Sequence, residues 1–229
     1  MTILLYELVG ADPARPFSPH CWKTALSLAH KGLPFEGVPT PFSAVPSVED
    51  GFSKTIPVIR DGDKRVADSF DIAVYLDDIY PDRPSLFGGE GGKAAARFVE
   101  RWSQTTLHPY LGAAVLVDIH DRLAPADQSY FRTSREPRYG KRLEDVVADR
   151  DARLAGFRAA LEPLRSMLSY QDFIGGAAPL YADYIVAGAF QWVRVMSPFA
   201  VLDAGDPVAA WFERCLDLHG GLMRRVSAA

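Results

Sequence analysis

The stretch ILLYELVGADPARPFSPHCWKTALSLAHKGLPFEGV, residues 3–38, decides the architecture. Ile3 to Leu8 is a short apolar run closed by Gly10 and Pro13, the pattern of a buried strand. Ser18 and Pro19 read as the N-cap and first-turn pair of a helix, because a serine hydroxyl accepts an orphan amide and proline there loses no needed donor. Behind them Trp22, Ala25, Leu26 and Ala29 recur at helical spacing, and Gly32 with Pro34 ends the run. Phe35 to Val38 is the second strand, so the unit is strand, helix, strand, with its two strands parallel.

Outward from this unit, Pro39 to Thr55 has no clean period and reads as a loop with room for one short helix. Ile56 to Arg60 and Arg65 to Ala67 flank Asp61 and Gly62, the signature of an antiparallel hairpin. Ser69 precedes the stripe Ile72, Tyr75, Leu76, Ile79, a helix that ends before Tyr80. Residues 1–80 are thus βαβ, loop, ββα. The stretch YPDRPSLFGGEGG, residues 80–92, marks a boundary with a linker over 81–92. Residues 93–229 show helical patterns and no convincing strand, with helices expected near Lys93 to Asp118, Arg142 to Leu168, Tyr181 to Val195 and Pro207 to Leu218. Pro163 is expected to kink the second of these. The fold class is α/β plus all-α.

Composition narrows the function. Nearly half of the 229 residues are hydrophobic, yet no apolar run approaches the roughly 18 residues of a spanning helix, and the start MTILLYELVG has no basic flank. Neither a membrane protein nor a secreted one is expected. Cys21 and Cys215 lie far apart and read as two reduced thiols, which favours the cytoplasm. A net charge of −4 without long Lys/Arg blocks lacks the electrostatic footprint of a nucleic-acid binder.

The βαβ–ββα order, the Ile-Pro before the third strand, the acidic residue and serine before the third helix, and the helical second half together resemble the glutathione transferases over essentially the whole chain. The resemblance implies a thioredoxin-like N-terminal domain followed by a helical-bundle C-terminal domain. Within that superfamily, SPHCWKTALSLAHKG (18–32), IPVI (56–59), ADSFDIAVYLDDIYPDRPSLF (67–87), SREPRYGKRLEDV (134–146) and DYIVAGAF (183–190) are similar to bacterial glutathione-dependent lignin β-etherases. The SRE and RLEDV pieces are the most telling, because general glutathione transferases do not share them; related fungal transferases with a serine site are close competitors for the resemblance.

An alkyl thiol titrates near 8.5, so a bound glutathione thiol is mostly protonated at neutral pH. Lowering that value by about two units requires roughly 2.7 kcal/mol, which a hydroxyl hydrogen bond and a helix N-terminus can supply together. The resemblance places the sulfur-stabilising serine at Ser18. Read from residues alone, Ser18 is a plain helix cap. Ser-Pro-His-Cys resembles a CxxC motif whose nucleophilic position has become serine, so Cys21 reads as an ordinary buried helix residue.

Ile56 and Pro57 match the family's cis-proline pair, whose preceding residue pairs through its backbone with the cysteinyl part of glutathione; from one sequence alone, a trans proline opening an edge strand is the alternative. Asp68 and Ser69 match the pair that holds the γ-glutamyl end, although Ser69 can equally cap a helix. Lys54 is the candidate for the glycyl carboxylate, against the alternative of a solvated loop lysine.

Phe17, Tyr110, Leu111, Val115 and Trp192 are candidates for a pocket that takes a hydrophobic aromatic electrophile. Asp118, His120 and Asp121 do not share one helical face and read as a polar helix end, with no metal site expected. The implied protein uses glutathione as co-substrate and forms a homodimer. A general detoxifying transferase, a glutathione-dependent isomerase and a non-catalytic ligand-binding protein are the alternatives. Two departures from the family pattern stand out. Leu180 replaces the capping residue three before Asp183, leaving the folding role of Asp183 incomplete. The etherases also continue past the point where this chain ends, which counts against ether cleavage.

Overall fold

The computed structural model describes residues 2–229. Strand β1 (Ile3–Leu8) leads into helix α1 (Pro19–His30) and strand β2 (Phe35–Thr40). A 3-10 segment (Phe42–Gly51) precedes β3 (Val58–Asp61), β4 (Lys64–Ala67) and α2 (Ser69–Ile79). The sheet order is β2-β1-β3-β4, with β1 parallel to β2 from Ile3 opposite Phe35 and antiparallel to β3. This is the mixed four-stranded sheet of a thioredoxin-like unit. The Ile56–Pro57 peptide is cis.

The remaining elements are helical: α3 (Glu90–Trp102), α4 (His108–Ala114), α5 (Leu116–Asp121), α6 (Pro125–Tyr139), α7 (Leu143–Val147), α8 (Arg150–Ala160), α9 (Glu162–Met167), α10 (Tyr181–Met196) and α11 (Pro207–Gly221). A π-turn, Ser103–Leu107, joins α3 to α4, so the single helix expected from Lys93 to Asp118 is instead a bent series. The helix expected over Arg142 to Leu168 is three pieces. Its last break falls at Leu161, just before Pro163, where the missing N–H falls in a first turn and costs no helical bond.

Helix α6 was not anticipated, because among its residues only Asp127 and Phe131 are buried and it carries no apolar stripe. It ends at Gly140, whose φ of 63° is the left-handed conformation a helix C-terminus favours. Arg132 then ties α6 to α7, donating to Glu136 and to Glu144 at 2.7 Å each. The SRE and RLEDV segments are therefore the two sides of one helix–turn–helix clamp.

The sheet unit and the helices share one hydrophobic core, in which α1 packs along α10. Gly188 permits the close approach: a Cβ there would lie 2.6 Å from the Pro19 carbonyl oxygen. Buried Lys23 on α1 reaches Glu100 on α3 at 3.3 Å.

Asp183 corrects an expectation. Although Leu180 offers no side-chain acceptor, the buried Asp183 carboxylate receives the amides of Ile174, Gly175 and Leu180 at 2.7, 2.9 and 3.0 Å and the Trp211 indole at 3.0 Å. Its structural role is complete without a capping residue, because it fastens the loop before α10 and the packing of α11 at once.

Candidate active site

Ser18 is the N-cap of α1, with Pro19 in the first turn. Its Oγ accepts from the Cys21 amide at a long 3.4 Å, and among the described residues its proton has no acceptor. The residue is 5% exposed and borders two cavities. One of about 750 Å³ gathers Lys54, Ile56, Pro57, Asp68 and Ser69. The other, about 400 Å³, is walled by Phe17, Phe131, Tyr139 and Trp192. The two share Leu8, Ser18, His20, Phe42, Arg135 and Arg138. A polar cleft and an aromatic one thus meet at one hydroxyl.

The start of α2 is built differently from the sequence expectation. Asp68, not Ser69, is the N-cap: its Oδ1 accepts from the amides of Phe70 at 2.8 Å and Asp71 at 3.2 Å. Ser69 is the first helical residue. Asp68 also has φ 71° and ψ 128°, a sparsely populated conformation for a residue with a Cβ, of the kind held at ligand clamps at a cost of about 1–3 kcal/mol.

Three aromatic-pocket candidates lie elsewhere. Leu111 and Val115 are fully buried in the helical core, and Tyr110 stacks on Phe157 at 4.5 Å and donates its hydroxyl to the Arg150 carbonyl. None of the three borders the cavities; the lining stripe is His108, Gly112, Leu116 and Ile119. Helical spacing identifies an apolar stripe but not which of two apolar stripes faces the cleft. Phe17 and Trp192 do line it.

The sequence reading also missed His20 and His108, whose rings lie 5.5 Å apart on the cavity wall. Burial and then the nearby Lys23 hold His108 down to about 4; burial, followed by Lys23 and His108, holds His20 well below the usual histidine range. Both are neutral at pH 7. The only signal for His20 was its place within Ser-Pro-His-Cys. Asp127, buried on α6, accepts the amides of Phe42 and Ser43 at 2.9 Å each and so fixes the 3-10 segment that borders both cavities.

Cys21 is fully buried, and desolvation raises its thiol to about 12, so it is an unreactive core group. Asp118 accepts from Arg150 at 3.0 Å and from Ser197 at 2.6 Å, and His120 pairs with Asp121. Among the described residues no cluster of His, Cys, Asp or Glu has the arrangement to hold a metal ion, and no helix is long and apolar enough to cross a membrane.

The profile of the glutathione S-transferase N-terminal domain matches residues 17–79, and that of the C-terminal domain matches residues 94–218. The chain belongs to the glutathione S-transferase family. It is similar to Arabidopsis thaliana glutathione S-transferase Z2, 26% identical over 117 residues that cover 49% of this chain and 52% of that protein. The match thus spans about half the length of that relative. Among solved structures, glutathione transferase GSTFuA3 from Phanerochaete chrysosporium has a TM-score of 0.76 and 27% identity, covering 99% of this chain and 94% of that one. A glutathione S-transferase of Ceriporiopsis subvermispora, solved in complex with glutathione, has the same TM-score and identity, covering 98% and 94% of the two chains. The sheet unit supplies most of the polar cavity's lining, with α3 and α6 closing it, and α4 to α6 with α10 supply most of the aromatic one's.

Proposed function

We propose that this transferase binds glutathione in the polar cavity and activates its thiol at Ser18 for attack on a carbon held in the aromatic cavity. The observation that carries this reading is the position of Ser18 on the wall common to both cavities, with its proton uncommitted. Its hydroxyl donates to the sulfur, and the first turn of α1 adds a positive partial charge. Lys54 meets the glycyl carboxylate, the backbone of Ile56 pairs with the cysteinyl unit, and Asp68 and Ser69 hold the γ-glutamyl end. Phe17 and Trp192 contact the electrophile.

The finer reading is cleavage of a lignin-type β-aryl ether beside a ketone. The thiolate attacks the ether carbon, the C–S bond forms as the C–O bond breaks, and the departing phenoxide takes up a proton. The products are a phenol and a glutathione thioether. The adjacent carbonyl makes the carbon more electrophilic. Support comes from the resemblance in residues 134–146 and from the aromatic walls of the second cavity. The protein is further proposed to be a cytoplasmic homodimer, for which light scattering across micromolar concentrations should give twice the chain mass; a constant monomer would overturn that.

The test of function follows phenol release from a β-aryl ether ketone and, in parallel, conjugation of glutathione to a general electrophile. Phenol release supports the etherase reading. Conjugation without phenol release leaves a general transferase. Glutathione binding with neither reaction leaves a ligand-binding member of the fold.

A further inference from the structure

Helix α6 brings two arginines, Arg135 and Arg138, to the edge shared by the two cavities. The two glutamates on this part of the chain are taken by other cations: Glu136 and Glu144 pair with Arg132, and Glu144 also with Arg142, while Asp145 lines neither cavity. Among the described residues neither Arg135 nor Arg138 forms an ion pair. Arg135 donates to the Ser134 hydroxyl at 2.8 Å, and its guanidinium is held over Phe131 at 4.9 Å and Phe42 at 5.5 Å. Stacking of this kind fixes the direction of the planar fork while leaving donors for a ligand.

The aromatic cavity that receives these arginines has no aspartate or glutamate in its lining, and its two histidines are neutral at pH 7. The two guanidiniums therefore face each other's charge with no counterion from the cavity wall. Burial and then the charge of Arg138 both bear on Arg135, lowering its affinity for its proton. The polar cavity does contain carboxylates, but Glu100 is bound to Lys23 and Arg97, Asp127 to two backbone amides, and Asp68 to the start of α2. On neither side of the shared edge is a carboxylate of the lining paired with these two arginines, and on the aromatic side there is none at all.

We infer that the second cavity selects aromatic compounds carrying an anionic group, a carboxylate above all, which Arg135 and Arg138 bind while the ring lies against Phe17, Phe131 and Trp192. Guanidinium matches carboxylate bidentately, and in a partly desolvated cleft such a charge-assisted contact discriminates strongly against a neutral isostere. The inference rests on the proposed function only in taking the aromatic cavity as the second-substrate site. It adds the charge of the substrate, which neither the fold nor the family supplies.

The test is calorimetric binding of para-phenoxybenzoate and its neutral isostere para-phenoxybenzamide, which needs no turnover. With glutathione saturating, the benzoate should bind about tenfold more tightly than the amide. Arg135→Gln and Arg138→Gln should each remove most of that preference and leave amide binding unchanged. Arg138 is exposed, so its variant keeps the fold and decides the matter if Arg135→Gln unfolds. Equal affinity of the wild type for both compounds would overturn the inference. So would a preference present without glutathione and lost with it, since the arginines would then serve the glycyl carboxylate. If glutathione itself fails to bind, the proposed function falls, and the benzoate-to-amide ratio measured without it still decides this point.

Discussion

The Tyr181 hydroxyl, at the start of α10, donates to the Ser69 carbonyl at the start of α2 across 2.8 Å of fully buried interface. The helix that opens the wall of the polar cavity is thereby tied to the central helix of the second domain. Tyr181→Phe should lower unfolding free energy by about 1 kcal/mol, the net worth of one buried hydrogen bond. Urea titration checks this; no loss would mean that the Tyr181–Ser69 hydrogen bond adds nothing to stability.

Lys23 and Glu100 form a second buried tie between the sheet unit and the helices, and Arg97 completes it by donating to Glu100 at 2.9 Å. Removing one member of a buried pair leaves an uncompensated charge, so Glu100→Ala should destabilise by about 3 kcal/mol or more. The double change Lys23→Met with Glu100→Leu should recover most of that loss in the same urea assay. Recovery would place the cost in the orphaned ammonium rather than in lost packing.

Where punctuation and spacing agree, the fold was legible in the sequence. Ser18-Pro19 opens α1 and Gly32 with Pro34 closes it, while the hairpin turns on Gly62-Asp63, one position beyond the expected Asp61-Gly62, because Asp61 still pairs with Lys64. The residues around the polar cavity were legible through motifs: Lys54, Ile56, Pro57, Asp68 and Ser69 all line one space. The aromatic wall was not, because the stretch from α4 to the start of α5 is apolar nearly all round and its period cannot separate Leu111 and Val115 in the core from Gly112 and Leu116 on the cleft. Helix α6 stayed hidden for the opposite reason: it buries an aspartate and one phenylalanine and otherwise looks like a charged loop. Arg135 and Arg138 were within the segment that carried the resemblance, but nothing in a linear sequence says that neighbouring acids are already paired.

Burial keeps His108 neutral, with its proton affinity down at about 4 in the folded chain against an ordinary 6.5 when unfolded. Between those values the unfolded chain binds more protons, so stability is full above about pH 6.5 and is lost as pH falls toward 4. Going from pH 7 to pH 5 should take about 2 kcal/mol from this group. His108→Gln should flatten the slope of unfolding free energy against pH by up to one proton; an unchanged slope would contradict the neutral assignment.

Asp68 caps α2 with the same carboxylate proposed to meet the glutathione amino group. Asp68→Asn keeps the capping oxygen and removes the charge. Glutathione should bind about tenfold more weakly by calorimetry, while melting temperature stays nearly constant. Unchanged glutathione affinity would confine Asp68 to capping.

The most direct measurement is the ionisation of the bound glutathione thiol, read from thiolate absorbance against pH in wild type and in Ser18→Ala. Bound thiol in the wild type should titrate about two units below the free value near 8.5, and Ser18→Ala should return about one to two of those units. Turnover at neutral pH should then fall roughly ten- to a hundredfold with glutathione affinity nearly unchanged, the first turn of α1 sustaining the remainder. An identical thiol titration in both proteins would contradict the account and leave Ser18 as a helix cap alone.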